Sequence, residues 1–135
     1  MPPTTSRDFQ KAAGQRLNAA ETLLEHGVTL DAQYLGGYTV ECSLKALILE
    51  RTPQANRPVV LQRISSGAAM HKPEVLLGEL GRLDVELPRD IAKRMRHFDW
   101  TTDLRYETGR RDTGETQGLL RTAQAVYNWV EGQLS

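Results

Sequence analysis

Cysteine, histidine and aromatic residues are scarce in this sequence. It has one cysteine, Cys42, three histidines and 6% aromatic residues. A single cysteine cannot form an internal disulfide, which favours a reducing compartment, so we expect a cytoplasmic protein. The few possible ligands have no clustered spacing, and no glycine-rich phosphate loop follows a predicted strand. The sequence therefore predicts neither a metal site nor a cofactor.

Net charge and long apolar segments are also absent. The 17 basic and 17 acidic residues cancel, so no overall field indicates a nucleic-acid or membrane partner. The N-terminal stretch MPPTTSRDFQ lacks the apolar centre of a signal peptide, and no apolar run approaches the length of a transmembrane helix. We expect no membrane partner, and any nucleic-acid signal has to be local.

Apolar residues at helical spacing are the main pattern that is present. No linker or repeat divides the 135 residues, so we predict a single domain over residues 1–135, with its core over about residues 9–133. The pattern predicts an all-α, up-and-down bundle of about five helices. These helices start near Phe9, Asp31, Pro73, Pro88 and Thr113. Residues 52–70 show no clear period and are predicted to form a long loop.

The most hydrophobic segment, DAQYLGGYTVECSLKALILE, carries two charges in its middle. It is predicted to form a helix over about residues 31–51, in which Glu41 and Lys45 lie one turn apart. On a helical wheel, a narrow polar side that should face solvent contains Gly36, Thr39, Ser43 and Glu50. The charged pair lies opposite, with Tyr34 and Tyr38, on the side that should be most buried.

Three interpretations of the charged pair remain open. On a helix surface a Glu–Lys pair with this spacing contributes about 0.2–0.5 kcal/mol, but a desolvated ion needs partners or costs several kcal/mol. Glu41 and Lys45 are therefore an internal clamp, the lining of a cleft or dimer seam, or part of a ligand site. The adjacent Gly36 and Gly37 weaken a helix, and their presence indicates close approach of a neighbouring backbone.

Basic residues recur along one face of the fourth predicted helix. Arg89, Lys93 and Arg96 follow helical spacing, opposite an apolar stripe. Such a face is either simply solvated, or a strip that binds the phosphates of RNA, DNA or a nucleotide.

Trp100, Arg105 and Tyr106 follow in a polar connection. An aromatic ring beside a guanidinium group can sandwich a base through stacking and cation–π attraction. The same cluster can instead be a packing plug that holds the connection to the bundle. Cys42, on a buried flank of the second helix, is predicted to be an inert core residue.

Several segments together resemble a HEPN domain. They are DAQYLGGYTVECSLKALILE, HKPEVLLGEL, DWTTDLRY and the final helix, and the resemblance covers about residues 9–133. It implies a helical bundle, usually a homodimer, in bacterial or archaeal systems. It also implies relatives encoded beside nucleotidyltransferases or in toxin–antitoxin and defence systems, and so a cognate nucleotidyltransferase or antitoxin-type protein as partner. In relatives the Arg-Tyr motif lies near the second-helix glutamate, which makes Arg105 the expected additional partner of Glu41.

The resemblance is incomplete at the motif of the family's ribonuclease members. Those members carry an arginine, four to six intervening residues and a histidine; the histidine acts as acid or base, and the arginine stabilises the charged phosphorane. The nearest spacings here, Arg63 to His71 and Arg89 to His97, each have seven intervening residues. We therefore expect a catalytically degenerate module that binds a nucleotide, a nucleic acid or a partner protein.

Two alternatives to a binding module remain. One is a metal-independent ribonuclease with a nonstandard catalytic set drawn from Glu41, Lys45, His71, His97 and Arg105. The other is an antitoxin-like or scaffold subunit whose basic strip serves only solubility. For the binding module, the predicted contacts to a nucleotide or nucleic acid are Arg89, Lys93, Arg96, Trp100, Arg105 and Tyr106.

Overall fold

Six α-helices and no strand are found in the computed structural model, which describes residues 2–134. The helices are α1 (Ser6–Glu25), α2 (Thr29–Arg51), α3 (Arg57–Ile64), α4 (Pro73–Arg82), α5 (Arg89–Met95) and α6 (Thr113–Gln133). Three short 3-10 turns lie between them, at Gln54–Asn56, Ala68–His71 and Thr102–Tyr106. The all-α prediction is confirmed, with one helix more than expected. None of the described helices is long and apolar enough to cross a membrane.

Helix α2 lies at the centre of the bundle. It packs against α1, α4 and α6, and it supplies more residues to the main hydrophobic core than any other helix. Val40, Leu44 and Leu47 are fully buried. Removing a side chain of this size from water contributes about 1.5–3 kcal/mol, so the burial of α2 provides a large part of the stability of the bundle.

Most of the polar side of α2 is buried as well, with only Glu50 partly exposed, which corrects the expectation that this side faces solvent. Thr39 and Ser43 have no exposed surface. The hydroxyl of Ser43 donates to the side-chain oxygen of Gln10 on α1 at 3.0 Å. The side-chain amide of Gln33 donates to the hydroxyl of Thr116 on α6, also at 3.0 Å. Ser43 and Gln33 therefore connect α2 to α1 and α6 by hydrogen bonds, because these two helices cover this side.

The first and last helices each begin with a side-chain cap. The hydroxyl of Thr5 accepts the backbone N–H of Asp8 at 3.1 Å, and the carboxylate of Asp112 accepts that of Glu115 at 2.8 Å. These contacts satisfy N–H groups that have no partner within the first helical turn. Gly27, two residues after α1, has a φ of 74°, the left-handed conformation that commonly ends a helix.

Residues 52–70 do not form the long loop that the sequence predicts. They contain α3, which has Pro58 in its first turn, where a backbone N–H would have no helical partner. Val60 and Ile64, one turn apart, are buried against the main core. A helix of eight residues with two buried apolar positions is too short for hydrophobic periodicity to reveal it.

The last helix packs its apolar side against α1 and α2. Ala123, Val126 and Val130 are fully buried. Helical spacing from Ala123 and Val126 predicts Leu119 on the buried face, but Leu120 is the buried leucine and Leu119 is partly exposed. The two leucines are neighbours on the helix, so the buried face is rotated by about one residue at this end.

Candidate functional site

Glu41 and Lys45 form a buried ion pair on α2. Nζ of Lys45 lies 3.0 Å from Oε2 of Glu41, and both side chains are almost completely removed from solvent. Each charge is expensive to desolvate, so the pair depends on good mutual geometry and on additional hydrogen bonds. A carboxylate accepts more than one donor, which leaves Glu41 able to bind a second partner.

His71 is that second partner. Its Nδ1 lies 3.1 Å from Oε2 of Glu41 and 3.2 Å from Oε1, at the end of the turn that precedes α4. The His71 side chain is 42% exposed, so it connects the buried pair to the surface. Among the described residues the side chains that contact the Glu41 carboxylate are Lys45 and His71, and the expectation that Arg105 fills this role is wrong. Arg105 lies beside Tyr34 and Tyr106 instead.

Tyr34 and Tyr38 lie on the same side of α2, before Glu41. The Tyr34 hydroxyl donates to the Tyr38 hydroxyl at 3.2 Å, and the two rings are perpendicular with centroids 5.0 Å apart. Partial burial is the main cause that raises the pKa of Tyr38 above its ordinary value, and the hydrogen bond with Tyr34 adds to this rise. Tyr38 is therefore a neutral hydroxyl at physiological pH. Its ring is edge-on to that of His71, with centroids 6.4 Å apart.

Trp100 packs directly on the backbone of α2 at Gly37. A Cβ atom on Gly37 would lie 1.9 Å from Cε2 of the indole, so any larger residue would overlap with the ring. Nε1 of Trp100 donates to the backbone carbonyl of Tyr34 at 3.2 Å. Because Trp100 is only 5% exposed, it offers no free face to a base. The burial of Trp100 therefore favours the packing plug over a nucleic-acid contact.

The paired glycines of α2 are explained by neighbouring side chains and not, as expected, by a neighbouring backbone. Gly37 accommodates Trp100, and a Cβ atom on Gly36 would lie 2.6 Å from Cδ2 of Leu120 on α6. Two glycines in a helix indicate a close approach but do not identify the group that approaches.

Arg105 and Tyr106 are exposed at the end of the turn Thr102–Tyr106. The guanidinium carbon of Arg105 lies 4.9 Å from the centre of the Tyr106 ring, a cation–π arrangement, and Tyr106 is 75% exposed. The charge of Arg105 also reaches the tyrosine pair of α2, where it opposes part of the rise in the pKa of Tyr38. The turn therefore brings a cation and an accessible aromatic ring beside α2.

The remaining candidate residues lie elsewhere. Arg89, Lys93 and Arg96 are exposed on α5 and just after it, away from the buried Ile91. His97 lines a cavity of about 320 Å³ between the end of α5 and α6, and no other catalytic candidate lines that cavity. The structure therefore separates His97 from the candidates on and beside α2.

Cys42 lies next to the charged pair and has the character of an unreactive thiol. Burial raises the pKa of the Cys42 thiol to about 11, so little thiolate is present at neutral pH. Among the described residues, no three His, Cys, Asp or Glu side chains are placed to hold a metal ion.

The sequence matches the HEPN domain family model over residues 6–133, nearly the whole chain. This chain belongs to the HEPN family. Searches among curated proteins and among solved structures find no significant match. As a HEPN domain, the chain is a helical module of a family related to nucleotides and RNA.

Sequence reasoning missed two contacts in the site of this HEPN domain. It proposed His71 as a catalytic candidate but not as the partner of Glu41, which lies 30 residues earlier in the chain. The available signal was the position of His71 two residues before Pro73, because the start of α4 fixes such a residue in space. It also missed the packing of Trp100 on Gly37, for which the glycine pair was the only sign.

Proposed function

We propose that this HEPN domain is a binding module for a nucleotide or RNA, which it holds at one surface beside α2. This surface, the α2 site, consists of Tyr34, Tyr38, His71, Arg105 and Tyr106. The observation that carries the proposal is the convergence of an exposed cation, an exposed aromatic ring and a half-exposed histidine around two tyrosine hydroxyls.

The charges at the α2 site favour an anionic ligand. Glu41 and Lys45 neutralise each other, which leaves Arg105 as the unbalanced charge beside the tyrosine pair. A guanidinium group is planar and presents paired donors that match phosphate oxygens. The tyrosine hydroxyls and the imidazole of His71 add hydrogen-bonding groups beside that charge. Because the whole chain has no net charge, phosphate binding has to depend on this local arrangement.

Tyr106 supplies a surface for a base. Arg105 covers one face of its ring, and the high exposure of Tyr106 leaves area for a second planar group. Stacking of a base on an aromatic side chain contributes about 1–3 kcal/mol and tolerates any base. The favoured ligand therefore has a phosphate next to an unpaired base, a description that fits a nucleotide and single-stranded RNA.

The proposed module acts as a homodimer without catalytic activity. The absence of the ribonuclease spacing argues against catalysis, and dimers are common in the HEPN family. We place it in the cytoplasm of a prokaryote, in a toxin–antitoxin, defence or nucleotidyltransferase-linked system, with a cognate nucleotidyltransferase or antitoxin-type protein as partner. Sedimentation at micromolar concentration should give a dimer, and a monomer would contradict this part of the proposal.

Fluorescence anisotropy with a short labelled single-stranded RNA tests the binding function. Arg105→Ala should weaken binding and reduce the slope of log affinity against log salt by about 0.7, the value for one lost phosphate contact on a single strand. Arg121→Ala is the matched control, because it removes the same charge from an exposed position on α6. Equal losses in both variants would contradict the α2 site. Absence of wild-type binding at low salt would favour the antitoxin-like or scaffold alternative.

A metal-independent ribonuclease is the second candidate, favoured by the contact of His71 with Glu41. A carboxylate at 3.1 Å from Nδ1 orients an imidazole for proton transfer by its other nitrogen. In such a reaction His71 would take the proton of a ribose 2′-hydroxyl, whose oxygen attacks the adjacent phosphorus. The 5′-oxygen would leave with a proton from solvent, giving a 2′,3′-cyclic phosphate, while Arg105 stabilises the charge on phosphorus.

A cleavage assay in EDTA separates the two candidates. The ribonuclease requires cleavage of RNA that is lost in His71→Ala and absent with a 2′-deoxy substrate. The binding module requires binding of the same RNA without cleavage. Cleavage that survives His71→Ala would assign the activity to a contaminant or to another site.

A further inference from the structure

We infer that Trp100 is the positioning residue of the α2 site: it fixes Arg105 and Tyr106 in place relative to His71. This role rests on the proposed binding function, and it explains what keeps the residues of the α2 site in their relative positions. Trp100 does not touch the ligand, because its ring is buried.

Backbone atoms of α2 determine the orientation of the indole. On one side the ring occupies the space that a Cβ atom of Gly37 would need, 1.9 Å from its Cε2. At its edge, Nε1 donates to the carbonyl of Tyr34 at 3.2 Å. A backbone carbonyl inside a buried helix cannot change its position as a surface side chain can. The place of Trp100 is therefore as well defined as that of α2 itself.

The short turn Thr102–Tyr106 connects the fixed position of Trp100 to Arg105. The backbone N–H of Leu104 donates to the carbonyl of Thr101 at 3.3 Å, and that of Asp103 donates to the Thr101 hydroxyl at 3.2 Å. Leu104 is buried in the same small hydrophobic cluster as Trp100. Two buried side chains, one at each end of a hydrogen-bonded turn, fix its backbone, and Arg105 follows directly after the second.

Trp100 also contacts the tyrosines that lie beside His71. Its ring centroid is 5.3 Å from that of Tyr38 and 6.3 Å from that of Tyr34. Tyr38 in turn lies 6.4 Å from the ring of His71, so that it packs between indole and imidazole. A displaced indole would therefore disturb both sides of the α2 site together.

A glycine-to-alanine substitution tests this role without altering any side chain of the α2 site. In Gly37→Ala the new methyl group overlaps with the indole, so Trp100 has to move. We expect the affinity for labelled single-stranded RNA to fall on the order of tenfold or more, because misplacing a binding group by about 1 Å is enough for such losses. Gly78→Ala on α4 is the matched control, because a Cβ atom there meets nothing within 4 Å, and it should keep wild-type affinity.

A double-mutant cycle distinguishes positioning from a general loss of folded protein. If Trp100 acts by placing Arg105, Gly37→Ala should cause little further loss of affinity once Arg105→Ala is present. The same fold-loss in both backgrounds would overturn the positioning role. If Gly37→Ala does not fold, Trp100→Phe takes its place in the cycle, since it keeps a ring but loses the bond to Tyr34.

Hydrogen exchange tests the link from Trp100 to the turn in the absence of RNA. The amides of Leu104 and Glu107 donate within the turn, and we expect them to exchange faster in Gly37→Ala but not in Gly78→Ala. Unchanged exchange would overturn the link whether or not RNA binds. A wild-type protein that binds no RNA, together with faster exchange in the variant, would contradict the proposed function and support the link.

Discussion

Helix α2 and the connection over residues 96–112 each supply part of the proposed site, but they are held in place differently. α2 is surrounded by other helices, and most of its residues are buried. The connection is mostly exposed, and Trp100 and Leu104 are its two buried side chains. When many contacts fix an element, the loss of one contact lowers stability but leaves the element in place. When few contacts fix an element, the loss of one contact also changes its local geometry. Changes at the core positions of α2, away from the site and from Gly37, should therefore affect mainly folding, and changes in the connection should affect mainly binding.

The largest effect on folding should follow from breaking the charged pair of α2. Glu41→Ala leaves Lys45 buried without its counter-charge and removes the acceptor of His71, which should lower the free energy of unfolding by about 3–5 kcal/mol. Urea or thermal unfolding measures this loss. Replacing Glu41 and Lys45 together by Met should recover much of it, because neither charge of the pair then remains buried. A nearly unchanged melting temperature for Glu41→Ala would mean that the pair serves a ligand and not the fold.

The same substitution in each region compares them directly. Leu47→Ala in α2 should cost about 3–5 kcal/mol, towards the upper end for a fully enclosed leucine, and leave RNA affinity unchanged in the protein that remains folded. Leu104→Ala in the connection should cost about 2 kcal/mol, since its cluster is small and near the surface, and should weaken RNA binding. Denaturation curves give the loss of stability for each variant, and fluorescence anisotropy gives its RNA affinity. Equal costs with no change in affinity would contradict the distinction between the regions.

The α5 strip, formed by Arg89 and Lys93 on α5 and Arg96 just after it, should extend the binding surface beyond the connection. Replacing all three by Ala should weaken RNA binding and flatten the salt dependence by up to about 2 in the log–log slope, if each contacts one phosphate. Anisotropy titrations at several salt concentrations measure this. The matched control replaces three exposed basic residues on other helices: Lys11, Arg16 and Arg121. If the slope of log affinity against log salt changes equally in the control, the α5 strip is simply a solvated face and not a binding surface.

The smallest effect concerns Cys42 in α2. Burial raises the pKa of the folded thiol from 9.0 to about 11. Below pH 9 the thiol is protonated in both states, so it has no influence on stability there. As pH rises from 9 towards 11, the unfolded chain ionises first, so stability should fall in this window. Unfolding curves of wild type and Cys42→Ala over this range isolate the effect, and alkylation of the folded wild type should be slow at pH 8. Rapid alkylation there would show an accessible thiolate.

Most of the helices, their caps and the charged side of α2 could be predicted from the sequence. Tyr34, Tyr38, Glu41 and Lys45 lie on one side of a helix because of its period, which is a local property of the backbone. The same reasoning gave the wrong exposure for Thr39 and Ser43. Small polar residues look alike whether water or another helix covers them, and only packing against α1 and α6 decides which it is.

The sequence by itself determined the helical architecture, the family resemblance and the unusual placement of two charges within an apolar helix. Only the tertiary structure decided that His71, and not Arg105, contacts Glu41, and that Trp100 packs on Gly37. The reason is the distance along the chain between the residues involved. Helical period and capping depend on residues within a few positions of each other, whereas these contacts join residues 30 to 66 positions apart, and the packing of the whole bundle brings them together.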